Sequence, residues 1–121
     1  MSRKNGIRIN VSGKFIGNKA EKLAESALEE LQTEKKIRGF YKYDHNGVDY
    51  IVKTYKLSEV KFQIKSSAFR VSEHCFKYPE IPVIFIRCYV NMTTEEVKTA
   101  IRRAKKVILE TVNHFDSYDV K

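Results

Sequence analysis

The sequence predicts a single α/β domain with a central mixed β-sheet flanked by helices, in the order helix, three strands, connector, strand, helix. Two observations carry this expectation. Apolar stripes of helical period open and close the core, and the segments between them alternate with the period of strands. The last of these segments is the most apolar run in the chain, as expected of a buried strand.

Residues 1–16 hold the basic side chains Arg3, Lys4 and Arg8 and the alternation Ile7-Arg8-Ile9-Asn10-Val11. They are expected to form a basic N-terminal arm or a short strand. The core is assigned to residues 17–112. Asn18 is a candidate N-cap, and Ala20, Leu23, Ala24, Ala27, Leu28 and Leu31 recur at helical spacing. That helix should fade near Lys35-Lys36 and stop at Gly39. Phe40–Tyr43 reads as a first strand and Val48–Tyr55 as a second, separated by Asp44-His45-Asn46-Gly47. Asn-Gly readily adopts positive φ and makes a hairpin turn. Val60–Ser66 is the third strand.

Residues 67–80 are ambiguous, a connector that fits a short strand or an irregular segment. Pro79 and Pro82 bracket the approach to Val83–Val90, which reads as a buried central strand. Thr93 and Glu96 form a capping box and start the closing helix. Its apolar stripe is Val97, Ala100, Ile101, Ala104, Val107, Ile108, Thr111 and Val112. Residues 113–121 are assigned to a polar tail.

The 121 residues are 42% hydrophobic and 31% charged, the balance of a globular chain. No apolar run approaches the roughly 20 residues that span a bilayer, and no apolar segment follows the basic start as in a secretory signal. The expected location is therefore the cytoplasm, with no membrane partner. Cys75 and Cys88 lack CxxC spacing, which argues against zinc; both are expected as reduced, packed thiols. A net charge of +8 favours polyanionic partners, nucleic acid first.

The chemistry-bearing residues are Asp49 on the second strand and Gln63, Ile64 and Lys65 on the third. Strand parity puts Val60, Phe62 and Ile64 on an apolar face and Lys61, Gln63 and Lys65 on the other. If the two strands pair as a hairpin, Asp49, Gln63 and Lys65 converge at one end of one face. Oxygen ligands suit Mg²⁺, and an ammonium group beside them would position water or hold phosphate. Histidines 45 and 74 have no partners at a suggestive spacing.

At these residues the sequence resembles the PD-(D/E)XK nuclease superfamily, the restriction endonuclease-like group that includes Mrr-like enzymes and archaeal Holliday junction resolvases. Its core is a helix, three strands, a helix and a strand. Its motif is an Asp opening the second strand, then Glu or Gln, any residue, and Lys on the third. Asp49 matches the first element, and Gln63-Ile64-Lys65 the second in its QxK form. Glu21, on the flank of the first helix, fits the Glu that many members carry there.

The resemblance spans roughly residues 17–110. It implies a metal-dependent endodeoxyribonuclease, structure-selective in the manner of a junction resolvase. Mg²⁺, with Mn²⁺ as a substitute, would be held by Asp49, Gln63, the Ile64 carbonyl and Glu21, and Lys65 would serve the attacking water. No other small-molecule cofactor is implied. Cutting both strands calls for a second active site, hence a homodimer. Gln63 departs from the usual acid and removes a negative charge from the site.

DNA contacts are expected from Ser66 and Ser67, from a ridge of Lys98, Arg102, Lys105 and Lys106, and from Arg3 and Lys4 in the arm. Two rival readings are a binding module of the same fold without catalysis, and an RNA-binding or protein-interaction domain using Tyr41, Tyr43, Tyr50 and Tyr55.

Overall fold

The elements run α1 (Ser2–Thr33), β1 (Gly39–His45), β2 (Val48–Lys53), β3 (Glu59–Lys65), α2 (Ala68–Lys77), β4 (Val83–Phe85) and α3 (Thr94–Asp119) in a computed structural model. The structure describes the backbone of residues 2–119 and the side chains of residues 17–115. The four strands form one mixed sheet in the order β1-β2-β3-β4. β1–β2 and β2–β3 are antiparallel and β3–β4 is parallel. The chain is thus the expected α/β domain with a mixed, helix-flanked sheet.

The predicted stripe on α1 is realised in full: Ala20, Leu23, Ala24, Ala27, Leu28 and Leu31 are all buried. They pack with Tyr50, Val52, Val60, Phe62, Ile64 and Ile84 from one face of the sheet and Ala100, Ala104, Ile108 and Val112 from α3. Parity therefore sorted β2 and β3 correctly, and α1 and α3 share one side of the sheet.

Both ends of α1 differ from expectation. Its backbone is helical from Ser2, so residues 2–16 are neither an arm nor a strand and Asn18 lies inside the helix. The alternation at residues 7–11 is short, and Ile7, Val11 and Phe15 satisfy a helical period equally well. With no Pro before position 79, a helix nucleated by the buried stripe extends backwards cheaply. The side chains of Arg3 and Lys4 lie outside the described residues.

At the other end the stop is Lys35, not Gly39. Lys35 takes φ +60°. The Lys36 N–H donates to the Leu31 carbonyl at 2.8 Å and the Lys35 N–H to that of Gln32 at 3.0 Å. This is a Schellman closure with lysine where glycine is usual.

The β1–β2 hairpin turns as predicted. His45 faces Val48, and Asn46 and Gly47 take φ +52° and +77°, the pattern of a type I′ turn. The ladder shifts register between Lys42 and His45, where Asp44 also takes φ +56°, so a bulge adjoins the turn. The β2–β3 hairpin closes from Thr54 to Ser58, with Leu57 at φ +66° as its left-handed residue.

Three further expectations need correction. The ambiguous segment is the helix α2, capped by the Ser67 hydroxyl oxygen accepting from the Arg70 N–H at 3.2 Å. Its packed face is only His74 and half-buried Val71, too weak a pattern to read. The apolar run at residues 83–90 is an edge strand of three residues, not a long central one. β3 ends at Lys65, whose carbonyl accepts from the Ile86 N–H at 2.9 Å, so the chain beyond has nothing left to pair with. Ile86 and Cys88 still turn inwards, while Phe85, Tyr89 and Val90 are exposed. Finally, α3 carries the supposed polar tail as helix to Asp119, since neither Gly nor Pro interrupts it.

The capping box at the start of α3 is complete. The Thr93 N–H donates to Glu96 Oε1 at 2.8 Å, and the Glu96 N–H to Thr93 Oγ1 at 3.1 Å. Tyr89 also donates its hydroxyl to Glu96. Val107, placed in the buried stripe by sequence, is exposed. Both cysteines are free. Cys88 is buried, which pushes its thiol up, but Cys75 is exposed on α2 rather than packed. Among the described residues no helix is long and apolar enough to cross a membrane.

Candidate active site

The β2–β3 ladder runs from Lys53–Glu59 to Tyr50–Phe62 and stops there. Two residues further Ile64 would meet Val48, but its N–H donates instead to Asp49 Oδ2 at 2.8 Å. The Asp49 carboxylate thus replaces a backbone acceptor at the point where the strands part. In a β-strand the N–H and C=O of one residue share an edge, so the Ile64 carbonyl looks into the same gap. This one bond ties Asp49 to the middle of Gln63-Ile64-Lys65.

Asp49 is 8% exposed. Burial raises its carboxyl above the usual carboxylate range. The Ile64 hydrogen bond opposes that rise, the charges of Glu21 and Asp44 add to it, and Lys65 lowers it. Gln63 and Lys65 are half-buried. Among the described residues neither side chain is held in a hydrogen bond or ion pair, and no buried side-chain polar atom lacks a partner.

Glu21 reaches the neighbourhood from α1, as its position on the flank of the stripe suggested. Its Oε1 accepts from Lys42 Nζ at 3.1 Å, and Lys42 also lies 3.8 Å from Asp44. Those contacts hold the Lys42 ammonium above its usual range, the Glu21 hydrogen bond first. Tyr50 donates its hydroxyl to Glu25 at 3.0 Å. Burial and that bond raise the phenol well beyond its usual range. Tyr50 is therefore a core residue, not part of an exposed aromatic face, although Tyr41, Tyr43 and Tyr55 are exposed.

Lys42, Glu25 and Tyr50 were not identified as site neighbours from the sequence. The available signal was the parity of Lys42 with Phe40, which packs against the core and so points β1 even-numbered side chains towards α1.

Among the described residues no three His, Cys, Asp or Glu side chains form a metal-binding group. A Mg²⁺ site here must be completed by the Gln63 amide and the Ile64 carbonyl. That donor set fits in kind, being all oxygen. It also fits in charge: Glu21 and Asp44 oppose the ionisation of Asp49, and a cation would relieve that opposition.

The expected DNA contacts divide. Ser66 is half-buried beside Lys65, whereas Ser67 spends its oxygen on capping α2. Lys98, Arg102 and Lys106 are exposed on α3, with Lys98 3.8 Å from Glu95. Lys105 does not belong to that ridge. Its ammonium lies 3.1 Å from Glu30 and 2.5 Å from Glu34 on α1, which pairs it into the α1–α3 interface.

A groove of about 850 Å³ between β4 and α3, lined by Phe85, Tyr89, Met92, Arg103 and Lys106 among others, shares no residue with the Asp49 site. Comparisons of the chain with family models, with curated proteins and with solved structures return no match.

Proposed function

We propose that this chain is a metal-dependent endodeoxyribonuclease that hydrolyses DNA phosphodiester bonds. The observation that supports the reading is the Asp49–Ile64 hydrogen bond, which ties an acid to the backbone between Gln63 and Lys65 where two strands part. The element order α-β-β-β-α-β, followed by α3, agrees with the core of the PD-(D/E)XK nucleases.

In this reading Asp49, Gln63, the Ile64 carbonyl and Glu21 would hold Mg²⁺ or Mn²⁺. The bound ion would supply charge stabilisation at the phosphate and a water of lowered pKa. Lys65 orients the attacking water and neutralises charge that develops on the phosphoryl oxygens. Water attacks phosphorus in line and loses a proton to solvent, and the bond to the leaving 3′ or 5′ oxygen breaks as that oxygen takes up a proton from solvent.

Lys106, Arg102 and Lys98 serve the DNA backbone, without reading sequence. The domain described carries one such site, so a homodimer and structure-selective cutting, as at a junction, complete the proposal.

Gln63 favours one alternative, a binding module that keeps fold and basic surface but does not cut. Cleavage of labelled single strand, duplex, flap and four-way junction with Mg²⁺, Mn²⁺ or EDTA decides between them. The nuclease reading expects metal-dependent cutting that Asp49→Ala and Lys65→Ala abolish. Metal-indifferent binding, equal in wild type and variants with no product, would establish the module.

A further inference from the structure

The helix α2 is amphipathic in the wrong direction for a core element. Its packed side is His74, buried and bonded through Nε2 to the Ile81 carbonyl at 3.1 Å, with half-buried Val71. Phe69 and Phe76 lie two turns apart on the opposite side, 72% and 91% exposed. Leaving two phenyl rings in water is unfavourable unless they serve a contact.

The two ends of α2 attach to the strand ends that flank the site. The helix begins three residues after Lys65. Just past its end the Tyr78 ring lies over Gly47, close enough that a Cβ there would come within 2.6 Å of it. α2 is thereby set between the end of β3 and the turn that precedes Asp49.

The flank of α2 identifies the occupant. Arg70 and Lys77 lie a heptad apart on the same flank, with Glu73 beside Arg70 at 3.1 Å. An antiparallel pairing of two copies through this face would set Arg70 of one against Lys77 of the other, an unfavourable match. A polyanion that also offers flat apolar groups satisfies both the cations and the rings. DNA with unstacked bases is such a partner, since apolar side chains insert at base steps and aromatic rings stack on exposed bases.

We infer that α2 is a base-stacking wedge: Phe69 and Phe76 engage unstacked or unpaired nucleobases next to the phosphate held at Asp49. Arg70 and Lys77 meet the adjoining backbone. This rests on the nuclease reading and gives it a substrate class, DNA that is already unpaired or kinked near the cleavage point.

The test uses the full chain in EDTA with two labelled oligonucleotides, a single strand and a duplex with a central unpaired loop, against a fully paired duplex. Because both rings are exposed, Phe69→Ala and Phe76→Ala should fold normally. Each should weaken binding to the unpaired DNAs by about 10-fold and to the paired duplex by much less. Phe76→Trp introduces the only tryptophan in the chain, and its fluorescence should be quenched by the unpaired DNAs.

If wild type cuts DNA but the alanine variants lose no affinity, the wedge is wrong and the nuclease reading survives. If wild type binds no DNA, both fail. If the alanine variants instead turn a sedimenting dimer into a monomer, the rings form a subunit interface and the wedge is overturned.

Discussion

Replacing Asp49 in two different ways separates its structural role from its chemical one. Asp49→Ala removes the acceptor of a buried N–H donor, that of Ile64, 2.8 Å away. Leaving such a donor unsatisfied costs about 1–3 kcal/mol. For a domain of this size that lowers Tm by roughly 5–15 °C. Asp49→Asn keeps an oxygen for the same bond and removes the buried charge.

The wild-type carboxyl is raised above its ordinary value, first by burial and then by Glu21 and Asp44 against the Ile64 bond. The ionised carboxylate therefore costs stability at neutral pH. That cost fades as pH falls through the raised folded value towards the ordinary one. Asp49→Asn should accordingly match or exceed wild-type stability at pH 7, within about 1 kcal/mol, and lose its advantage near pH 4. Both variants should fail to cleave DNA. Thermal unfolding by circular dichroism between pH 4 and 8 measures this directly. An Asn variant as unstable as the Ala variant, or an advantage that grows on acidification, would refute the reasoning.

Other perturbations test separate features. Lys35→Gly should raise stability by about 0.5–1 kcal/mol in urea unfolding, because lysine occupies a left-handed position that glycine takes without a Cβ penalty. Gly47→Ala should cost at least about 1–3 kcal/mol, since φ is +77° and the new methyl meets the Tyr78 ring. Only the steric part should be recovered when Tyr78→Ala is added. If the proposed DNA contacts hold, Lys106→Gln should reduce the slope of log affinity against log salt by roughly 0.9. Lys105→Gln should leave it unchanged, because Glu30 and Glu34 already neutralise that ammonium.

Features written in neighbouring residues were readable from the sequence. Asn46-Gly47 defines its own turn, Thr93 and Glu96 satisfy each other's backbone, and the α1 stripe from Ala20 to Leu31 repeats often enough to show one face. Parity also assigned the faces of β2 and β3, and their pairing as a hairpin ties Asp49 to the backbone of Ile64.

What escaped depends on partners distant in sequence. Lys105 looks like any exposed cation until α1 supplies Glu30, 75 residues away. The strand at Val83 is short because β3 runs out at Lys65, a length no property of the apolar run encodes. α2 was unreadable for a different reason: its phenylalanines face outwards, so its hydrophobic pattern marks no core contact. Lys42 met Glu21 across 21 residues, through the packing of α1 on β1.

The bond between Asp49 and Ile64 also places an observer inside the site. A single backbone amide, that of Ile64, senses the carboxylate directly. In a two-dimensional NMR spectrum its proton should lie downfield when Asp49 is ionised and move as the acid titrates or captures a cation. One resonance would then follow protonation and metal loading, without any substrate or any label beyond ¹⁵N.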